Sequence, residues 1–145
     1  MGDLAKEINS TFPSEHIKAL INIKYTANWI ENKSNETLKP FQISVQQYNI
    51  LRILRGAKEA IKVQTVKDRM IEKSPNATRL MDKLYAKNLI ERFRCEDDRR
   101  VVYVKIASKG LEMLKDINMD SLNETMINLS EEEVEQLNML LDKLR

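Results

Sequence analysis

The sequence contains one cysteine, one histidine, three glycines and three prolines among 145 residues. Because Cys95 has no second cysteine to pair with, an internal disulfide is excluded, which fits a reducing compartment. Because His16 is the single histidine, the chain cannot assemble a histidine-based triad or a multi-histidine metal site, so we predict no enzyme activity, metal or cofactor. Few glycines and prolines favour a mostly helical protein. No apolar run approaches the roughly 18 residues that span a bilayer, so we expect a cytoplasmic protein without a membrane partner.

The net charge of +2 conceals an uneven distribution along the chain. Residues 1–109 hold 21 Lys and Arg against 13 Asp and Glu, whereas residues 110–145 hold 3 against 9. A basic body joined to an acidic C-terminal segment favours a polyanionic partner for the body. Charge bias is also common on solvated helices, so charge alone leaves nucleic-acid binding and a merely solvated surface equally open.

Helix signals are clear in the first half of the chain. The segment 14–33 carries apolar residues at helical spacing, which predicts a long first helix. Ser44 with Gln47 three residues later is a capping box and predicts the start of a second helix, which Gly56 is placed to end. Residues 60–63 fit a short edge strand, and a short third helix is predicted over 63–73.

The sequence SPNATRLMDKLYAKN, residues 74–88, predicts a further helix with Ser74 as N-cap and Pro75 at the first helical position. Asn88 is placed to end it in the left-handed conformation. Two β-prone runs, LIERFR and VVYVKI, follow on either side of CEDDRR, which predicts a hairpin with a charged tip. The predicted buried positions are Ala77, Leu80, Met81 and Leu84 on the helix, and Val102, Val104 and Ile106 on the second strand.

Two helices are predicted after the hairpin: a long one that starts at Ser108 and a final one capped by Ser130 with Glu133. The apolar spacing of the final helix predicts a seam for another helix, although packing against its own domain explains the same pattern. Because the first helix also lies outside the compact middle, terminal helices from two chains are predicted to build a dimer interface. The candidate dimer residues are Ile17, Leu20, Val134, Leu137, Leu141 and Leu144.

The element order of the middle is that of a winged helix-turn-helix, and here the sequence resembles a known family. The run NATRLMDKLYAKNLIERFRCEDDRRVVYVKIASKG, residues 76–110, is similar to the signature of MarR-family transcriptional regulators, with a Thr-Arg-Leu recognition helix, LIER entering the wing, and DRR near its tip. The flanks ISVQQYNILRIL and LSEEEVEQLNMLLDKL are similar to the family's second and final helices. Departures are Asn88 for the usual glycine, Cys95 where an acid is common, and a helix-turn-helix turn without glycine.

The resemblance implies a mainly α fold with a small β-wing. It places a winged-helix DNA-binding lobe at 42–110, flanked by dimerisation helices at 14–38 and 111–145, within a single MarR-like domain spanning 1–145. The implied function is a sequence-specific DNA-binding regulator, expected to be a homodimeric repressor relieved by a small ligand. Two recognition helices related by a two-fold axis would contact a pseudo-palindromic double-stranded DNA operator with half-sites about one helical turn apart.

In a helix-turn-helix the second helix enters the major groove with its N-terminal residues on base edges. A guanidinium at the tip of a wing can enter the minor groove, where the negative potential is focused. The resemblance further implies that Asp98 holds the wing by pairing with one arginine while another meets DNA, and the sequence leaves open which arginine does which. The alternative for each residue is a solvated helix face, a plain cap or an exposed turn. The candidate DNA contacts are Ser74, Asn76, Thr78, Arg79, Lys83, Arg94, Arg99 and Arg100.

Regulators of this family often respond to small aromatic or phenolic effectors bound between the dimer region and the DNA-binding lobes. Tyr25, Trp29 and Tyr48 are candidates to line such a pocket, and the competing interpretation is that they belong to the core. A rival function from another class is a helical protein-interaction module that uses its basic face on an acidic protein and binds no specific DNA.

Overall fold

The computed structural model describes residues 2–145, apart from the side chain of Ser121, and shows a helical chain with one small antiparallel sheet. The predicted mainly α fold with a small β-wing is therefore confirmed. The helices are α1 (Leu4–Glu7), α2 (Glu15–Leu38), α3 (Val45–Ala57), α4 (Val63–Arg69), α5 (Ala77–Ala86), α6 (Ser108–Asp116), α7 (Asp120–Asn123) and α8 (Glu131–Lys143). The strands are β1 (Ile61–Lys62), β2 (Ile90–Arg94) and β3 (Val102–Ile106), and 3-10 turns occupy Lys39–Phe41 and Glu124–Met126.

The starts of three helices follow from their own capping residues. The side chain of Ser14 caps α2 by accepting a backbone N–H of its first turn. Both predicted capping boxes are present: Ser44 with Gln47 begins α3, and Ser130 with Glu133 begins α8. In each box two backbone N–H groups that no helical carbonyl can reach are satisfied reciprocally.

The ends of α3 and α5 both use a non-glycine residue in the left-handed conformation. The predicted end of α3 at Gly56 is wrong, because the helix continues through Ala57 and reverses at Lys58, which has φ 58°. The reversal falls there because the chain must turn to bring Ile61 of β1 opposite β3. Asn88 has φ 61°, as predicted, since its short polar side chain tolerates this backbone better than most residues.

The start of α5 differs from the prediction. The sequence predicts Ser74 as N-cap and Pro75 as the first helical residue, but α5 begins at Ala77 and its N-cap is Asn76. Pro75 and Asn76 instead form a turn that is closed by the Ala77 N–H donating to the Ser74 carbonyl at 3.3 Å. Ser74 Oγ accepts the Asn76 N–H at 3.1 Å, so its hydroxyl stabilises this turn rather than the first helical turn.

The strands form an antiparallel sheet in the order β1-β3-β2, which confirms both the hairpin and the short edge strand. Val104 at the centre of β3 pairs with Ile61 on one side and Arg92 on the other. Val104 is fully buried, and Val102 and Ile106 on the same face are half-buried. This face closes the core from the wing side.

The core lies where α3, α5 and the sheet meet, and it receives the C-terminal ends of α2 and α6. The predicted stripe on α5 is confirmed, since Ala77, Met81 and Leu84 are buried and Leu80 packs half-buried beside them. The buried residues of this cluster are Leu38, Ile43, Ile50, Leu51, Leu54, Val66, Met70, Ala77, Met81, Leu84, Leu89, Ile90, Val104, Leu114 and Ile117.

The predicted long helix from Ser108 is interrupted. Its first piece, α6, ends at Asp116, and Ile117 adopts an extended backbone (φ −75°, ψ 111°) that carries its side chain into the core. Asn118 Oδ1 then accepts the Asp120 N–H at 2.7 Å, a local turn that competes with continued helix. The start also differs, because the N-cap is Ala107, which has no capping side chain, and not Ser108.

The two long terminal helices leave apolar surface uncovered within the single chain. Helix α2 buries only Ser34 and Leu38, both near its C-terminal end, and α8 buries none of its residues. Ile17 and Leu20 on α2 are 41% and 56% exposed. None of the helices described over residues 2–145 has the length and apolar character needed to cross a bilayer.

Candidate nucleic-acid interface

The turn between α4 and α5, residues 70–76, is fastened to α3 by side chains rather than by a glycine. Asn49 Oδ1 accepts the Ile71 N–H at 3.0 Å, and Gln46 Nε2 donates to Glu72 Oε2 at 2.9 Å. These bonds satisfy polar groups of the turn from outside it, so the turn needs no unusual backbone. The position of the α5 N-terminus is therefore set by α3.

Gln47 links α3 directly to α5. Its Oε1 accepts the Ser44 N–H at 3.0 Å, and its Nε2 donates to the Leu80 carbonyl of α5 at 3.4 Å. Gln47 is 5% exposed, so both ends of a buried amide are used. The residue that begins α3 thereby also contacts α5.

The outward face of α5 carries the predicted contact residues together. Asn76, Thr78, Arg79 and Lys83 are exposed, and Ser74 is half-buried at the turn. Asn76 is the N-cap but makes no side-chain capping bond, so its amide can serve as donor and acceptor for another molecule. Arg79 and Lys83 form no ion pair with any described residue. This face offers polar groups that the protein itself does not use.

At the wing tip, Asp98 pairs with Arg100. Asp98 Oδ1 accepts the Arg100 backbone N–H at 3.1 Å and its Nε–H at 3.2 Å, and Oδ2 lies 3.4 Å from Nη2. These hydrogen bonds hold the pKa of the Asp98 carboxyl below its ordinary value. The Val101 N–H also donates to the Asp98 carbonyl at 3.0 Å. Asp98 thus organises the tip through its side chain and its backbone.

The other two candidate arginines of the wing, Arg94 and Arg99, differ in whether their guanidinium groups form hydrogen bonds. Arg94 Nη1 donates to the Arg99 carbonyl at 2.9 Å, which ties the end of β2 across the tip. The Cys95 N–H donates to the Val101 carbonyl at 2.9 Å and closes the base of the same loop. The Arg99 side chain is exposed and makes no hydrogen bond or ion pair with residues 2–145. Among the three candidates, Arg99 is therefore the one whose guanidinium group has no hydrogen-bond or ion-pair partner in the described residues.

Arg92 is a residue that the sequence analysis missed. Its Nη1 donates to Asp82 Oδ1 on α5, and its guanidinium carbon lies 4.5 Å from the centre of the Tyr85 ring, also on α5. Strand alternation places Arg92, two residues after buried Ile90, on the same face of β2 as Ile90. Its position is nevertheless exposed, so burial does not require a partner, and alternation alone does not predict the contact with α5.

A cleft of about 700 Å³ lies between α4, α5 and the wing. Thr78 of the predicted contact set lines it from α5, and Arg94 and Arg100 line it from the wing. None of Tyr25, Trp29 and Tyr48 lines this cleft. Five cationic side chains surround a single acid, Asp82, which gives the cleft an electropositive character suited to a polyanion. The cations are Lys62, Lys67, Arg92, Arg94 and Arg100.

Within the part of the chain that the structure describes, no cluster of three or more His, Cys, Asp or Glu side chains is arranged to hold a metal ion. Glu96 and Asp97 on the wing tip are exposed. They lack the burial that tunes a carboxyl group for acid-base chemistry.

The chain is similar in sequence and in structure to known proteins of the MarR family. The sequence profile of the MarR family matches residues 43–102. The chain is 28% identical over 131 residues to the HTH-type transcriptional regulator MhqR of Bacillus subtilis (strain 168), covering 88% of this chain and 90% of MhqR. It is 30% identical over 114 residues to the multiple antibiotic resistance protein MarR of Escherichia coli (strain K12), covering 76% of this chain and 78% of that protein. The structure is similar to that of a mutant E. coli MarR complexed with operator DNA, with a TM-score of 0.71, 28% identity and coverage of 99% of both chains.

Proposed function

The chain belongs to the MarR family of transcriptional regulators, and from that premise we propose that it is a homodimeric repressor of a pseudo-palindromic operator. As a member of this family it is a DNA-binding regulator and not an enzyme. The observation that carries the finer proposal is that Thr78, on the exposed face of α5, and Arg94 and Arg100 of the wing line the same basic cleft, while the exposed Arg99 is the chain neighbour of Arg100. A duplex seated on both would bring phosphates to the cleft and bases to α5.

Helix α5 is the recognition helix of this proposal. Asn76 can pair with adenine through its free amide, and Arg79 can donate to guanine or to a phosphate. Thr78 and Lys83 lie on the same exposed face, and Ser74 lies at its N-terminal edge, where hydroxyl groups commonly bind phosphate oxygens. The winged-helix lobe, residues 42–110, would carry all these contacts.

Arg99 is the wing residue proposed to enter the minor groove. Arg100 is held by Asp98, and Arg94 is tied to the Arg99 carbonyl, so the tip keeps its shape when one arginine leaves water for DNA. The cost of ordering Arg99 is then confined to one side chain. This supports a division of labour between the three arginines.

The terminal helices, 14–38 and 111–145, are proposed to form the dimer. Their support is the exposure of Ile17, Leu20, Leu137 and Leu144 in the single chain, with Leu144 70% exposed. Val134 and Leu141 on α8 are half-buried and continue the same stripe. Exposed apolar side chains at helical spacing on both terminal helices are a feature of helices that pack against a partner. The interruption at Ile117 means that the C-terminal contribution comes from separate helical pieces.

We further propose that a small aromatic or phenolic ligand relieves repression by releasing the protein from its operator. Tyr25 and Trp29 are 37% and 43% exposed on α2, which supports a ligand-facing role over a core role, whereas Tyr48 packs half-buried against the core. Because Trp29 is the single tryptophan, its fluorescence reports on a ligand directly. Titration with simple phenols should change Trp29 emission and release bound operator in the same concentration range. A change in emission without release would contradict relief.

The test of DNA recognition is a fluorescence anisotropy titration of labelled genomic duplexes at several salt concentrations. We expect some duplexes to bind at least roughly 10³-fold more tightly than random DNA, with a steep dependence on salt because phosphate contacts release counterions. Uniformly weak binding would instead favour the protein-interaction module. Arg99→Ala should weaken binding to the selected duplex and reduce the salt slope by about 1.

Sedimentation tests the dimer independently of DNA. The wild-type chain and Arg99→Ala should sediment as dimers, since the wing lies outside the proposed interface. If Arg99→Ala dissociates or unfolds the dimer, the wing arginine is structural and its proposed contact with DNA fails.

A further inference from the structure

One arginine makes the side-chain hydrogen bond between the wing and the recognition helix, and it lies outside the set of proposed DNA contacts. We propose that Arg92 is a positioning residue that clamps the wing against α5, so that Arg99 and the exposed face of α5 reach one duplex together. This inference rests on the proposed function and adds a role for a residue that need not touch DNA.

The geometry of the clamp is specific to α5. Arg92 reaches from β2 to two residues one helical turn apart, bonding Asp82 and lying over the ring of Tyr85 at 4.5 Å. Residues three apart share one face of a helix, so a single planar guanidinium meets both. The ion pair fixes the head of the side chain, and the ring contact fixes its plane. Rotation of the hairpin about β2 would break both contacts.

Other links between α5 and the wing are apolar. Among the hydrogen bonds and ion pairs of residues 2–145, the Arg92–Asp82 bond is the one that joins α5 to β2 or β3 through side chains. The remaining ion pair of the sheet, Glu91 to Lys105 at 3.1 Å, stays within the wing. Apolar contacts such as those of buried Ile90 resist separation but are not directional. A directional contact is needed to set the angle of a hairpin.

The clamp matters for position rather than for stability. The side chains of Arg92 and Asp82 are 34% and 52% exposed, and ion pairs exposed to this degree contribute little to folding. Asp82 is also the single acid lining the cleft, where an unpaired carboxylate would repel phosphates. Arg92 neutralises that carboxylate while it holds the wing.

A double-mutant cycle on operator binding tests the clamp, using the duplex selected above. In the wild type, Arg99→Ala should weaken binding roughly ten-fold, equivalent to about 1.4 kcal/mol. In an Arg92→Ala background, the same Arg99→Ala change should weaken binding less than about two-fold, because a displaced wing no longer delivers Arg99. Asp82→Asn should reproduce the loss seen with Arg92→Ala, and Asp82→Glu, which keeps the carboxylate, should restore most of the Arg99 effect.

The matched control is Glu91→Gln, which removes a carboxylate from the neighbouring position on the opposite face of β2. It should leave the full ten-fold effect of Arg99→Ala. All variants are checked for unchanged dimer mass and unfolding midpoint, and Asp82→Asn is the milder variant if Arg92→Ala folds poorly.

Two results would overturn the inference and leave the proposed function intact. Equal effects of Arg99→Ala in the wild-type and Arg92→Ala backgrounds would show that Arg92 acts separately, as an independent phosphate contact would. Tighter binding by Asp82→Asn would show that its carboxylate merely repels DNA. Failure of the wild type to prefer any duplex would overturn the proposed function as well, whereas an additive cycle in a specific binder overturns the clamp alone.

Discussion

The same substitution at two helical glycines should have opposite effects on stability. A Cβ added at Gly110, in the first turn of α6, would lie 2.3 Å from the Leu89 carbonyl oxygen and 2.9 Å from Ile106 Cγ1. The Leu89 oxygen is backbone and already accepts the Ala107 N–H at 3.0 Å, so it cannot move without breaking that bond. A Cβ added at Gly56, in the last turn of α3, has no neighbour within 4 Å.

The magnitude follows from two opposing effects. Alanine stabilises a helix interior by about 1 kcal/mol relative to glycine, because glycine loses more backbone freedom on folding. At Gly110 the displaced carbonyl and the forced shift of Ile106 cost more than this gain, so we expect Gly110→Ala to lower the free energy of unfolding by about 1 to 3 kcal/mol. At Gly56 no steric clash opposes this stabilisation, so Gly56→Ala should raise the free energy of unfolding by about 0.5 to 1 kcal/mol.

Urea unfolding followed by circular dichroism measures the stability of both variants, at one protein concentration because the proposed subunit association would add to apparent stability. For a chain of this size the midpoint of thermal unfolding should fall by roughly 3 to 10 °C for Gly110→Ala. If Gly110→Ala is as stable as Gly56→Ala, the close approach of α6 to the Leu89 carbonyl does not constrain residue 110, and the reasoning is refuted.

Three further outcomes are expected. Ser44→Ala removes a capping box and should lower the free energy of unfolding by about 1 kcal/mol in urea, whereas Ser108→Ala, which removes no cap, should change it little; equal losses would contradict the capping assignments. Leu137→Glu should shift the chain from dimer to monomer in sedimentation, and an unchanged dimer would place the interface elsewhere. The pKa of Asp98 is below its ordinary value of 3.8. Its pairing with Arg100 should therefore persist as pH falls to 3.8 and be lost only as pH falls through the lowered pKa. A carboxyl NMR titration with a midpoint at or above 3.8 would contradict the pairing.

Features that depend on neighbours in the sequence were predictable from it. The capping boxes at Ser44 and Ser130 need partners three residues away, and the left-handed turn at Asn88 needs only its own backbone preference. The hairpin was predictable because its charged turn lies between two short alternating runs. These local signals are sufficient to predict the winged-helix order of elements.

Features that depend on tertiary contacts were not predictable in the same way. Ile117 fits the apolar period of a continuing helix, yet burial in the core through an extended backbone replaced helix there. Arg92 and Asp82 are ten residues apart and meet because the fold brings β2 across α5. The resemblance to the MarR family implies that one wing arginine pairs with Asp98, but identifying Arg100 required the geometry of the tip.

Gln47 completes the cap of α3 and also bonds the Leu80 carbonyl of α5. The cap of one helix and the placement of the other therefore depend on the same side chain. Glutamate and glutamine are interchangeable at this position of a capping box, because either can accept the N-cap N–H. Here they are not equivalent, since only glutamine also carries an N–H for the Leu80 carbonyl. A glutamate would keep the cap but set a buried carboxylate against that carbonyl oxygen, so a change that is silent in an isolated helix would displace the surface of α5 that we propose meets DNA.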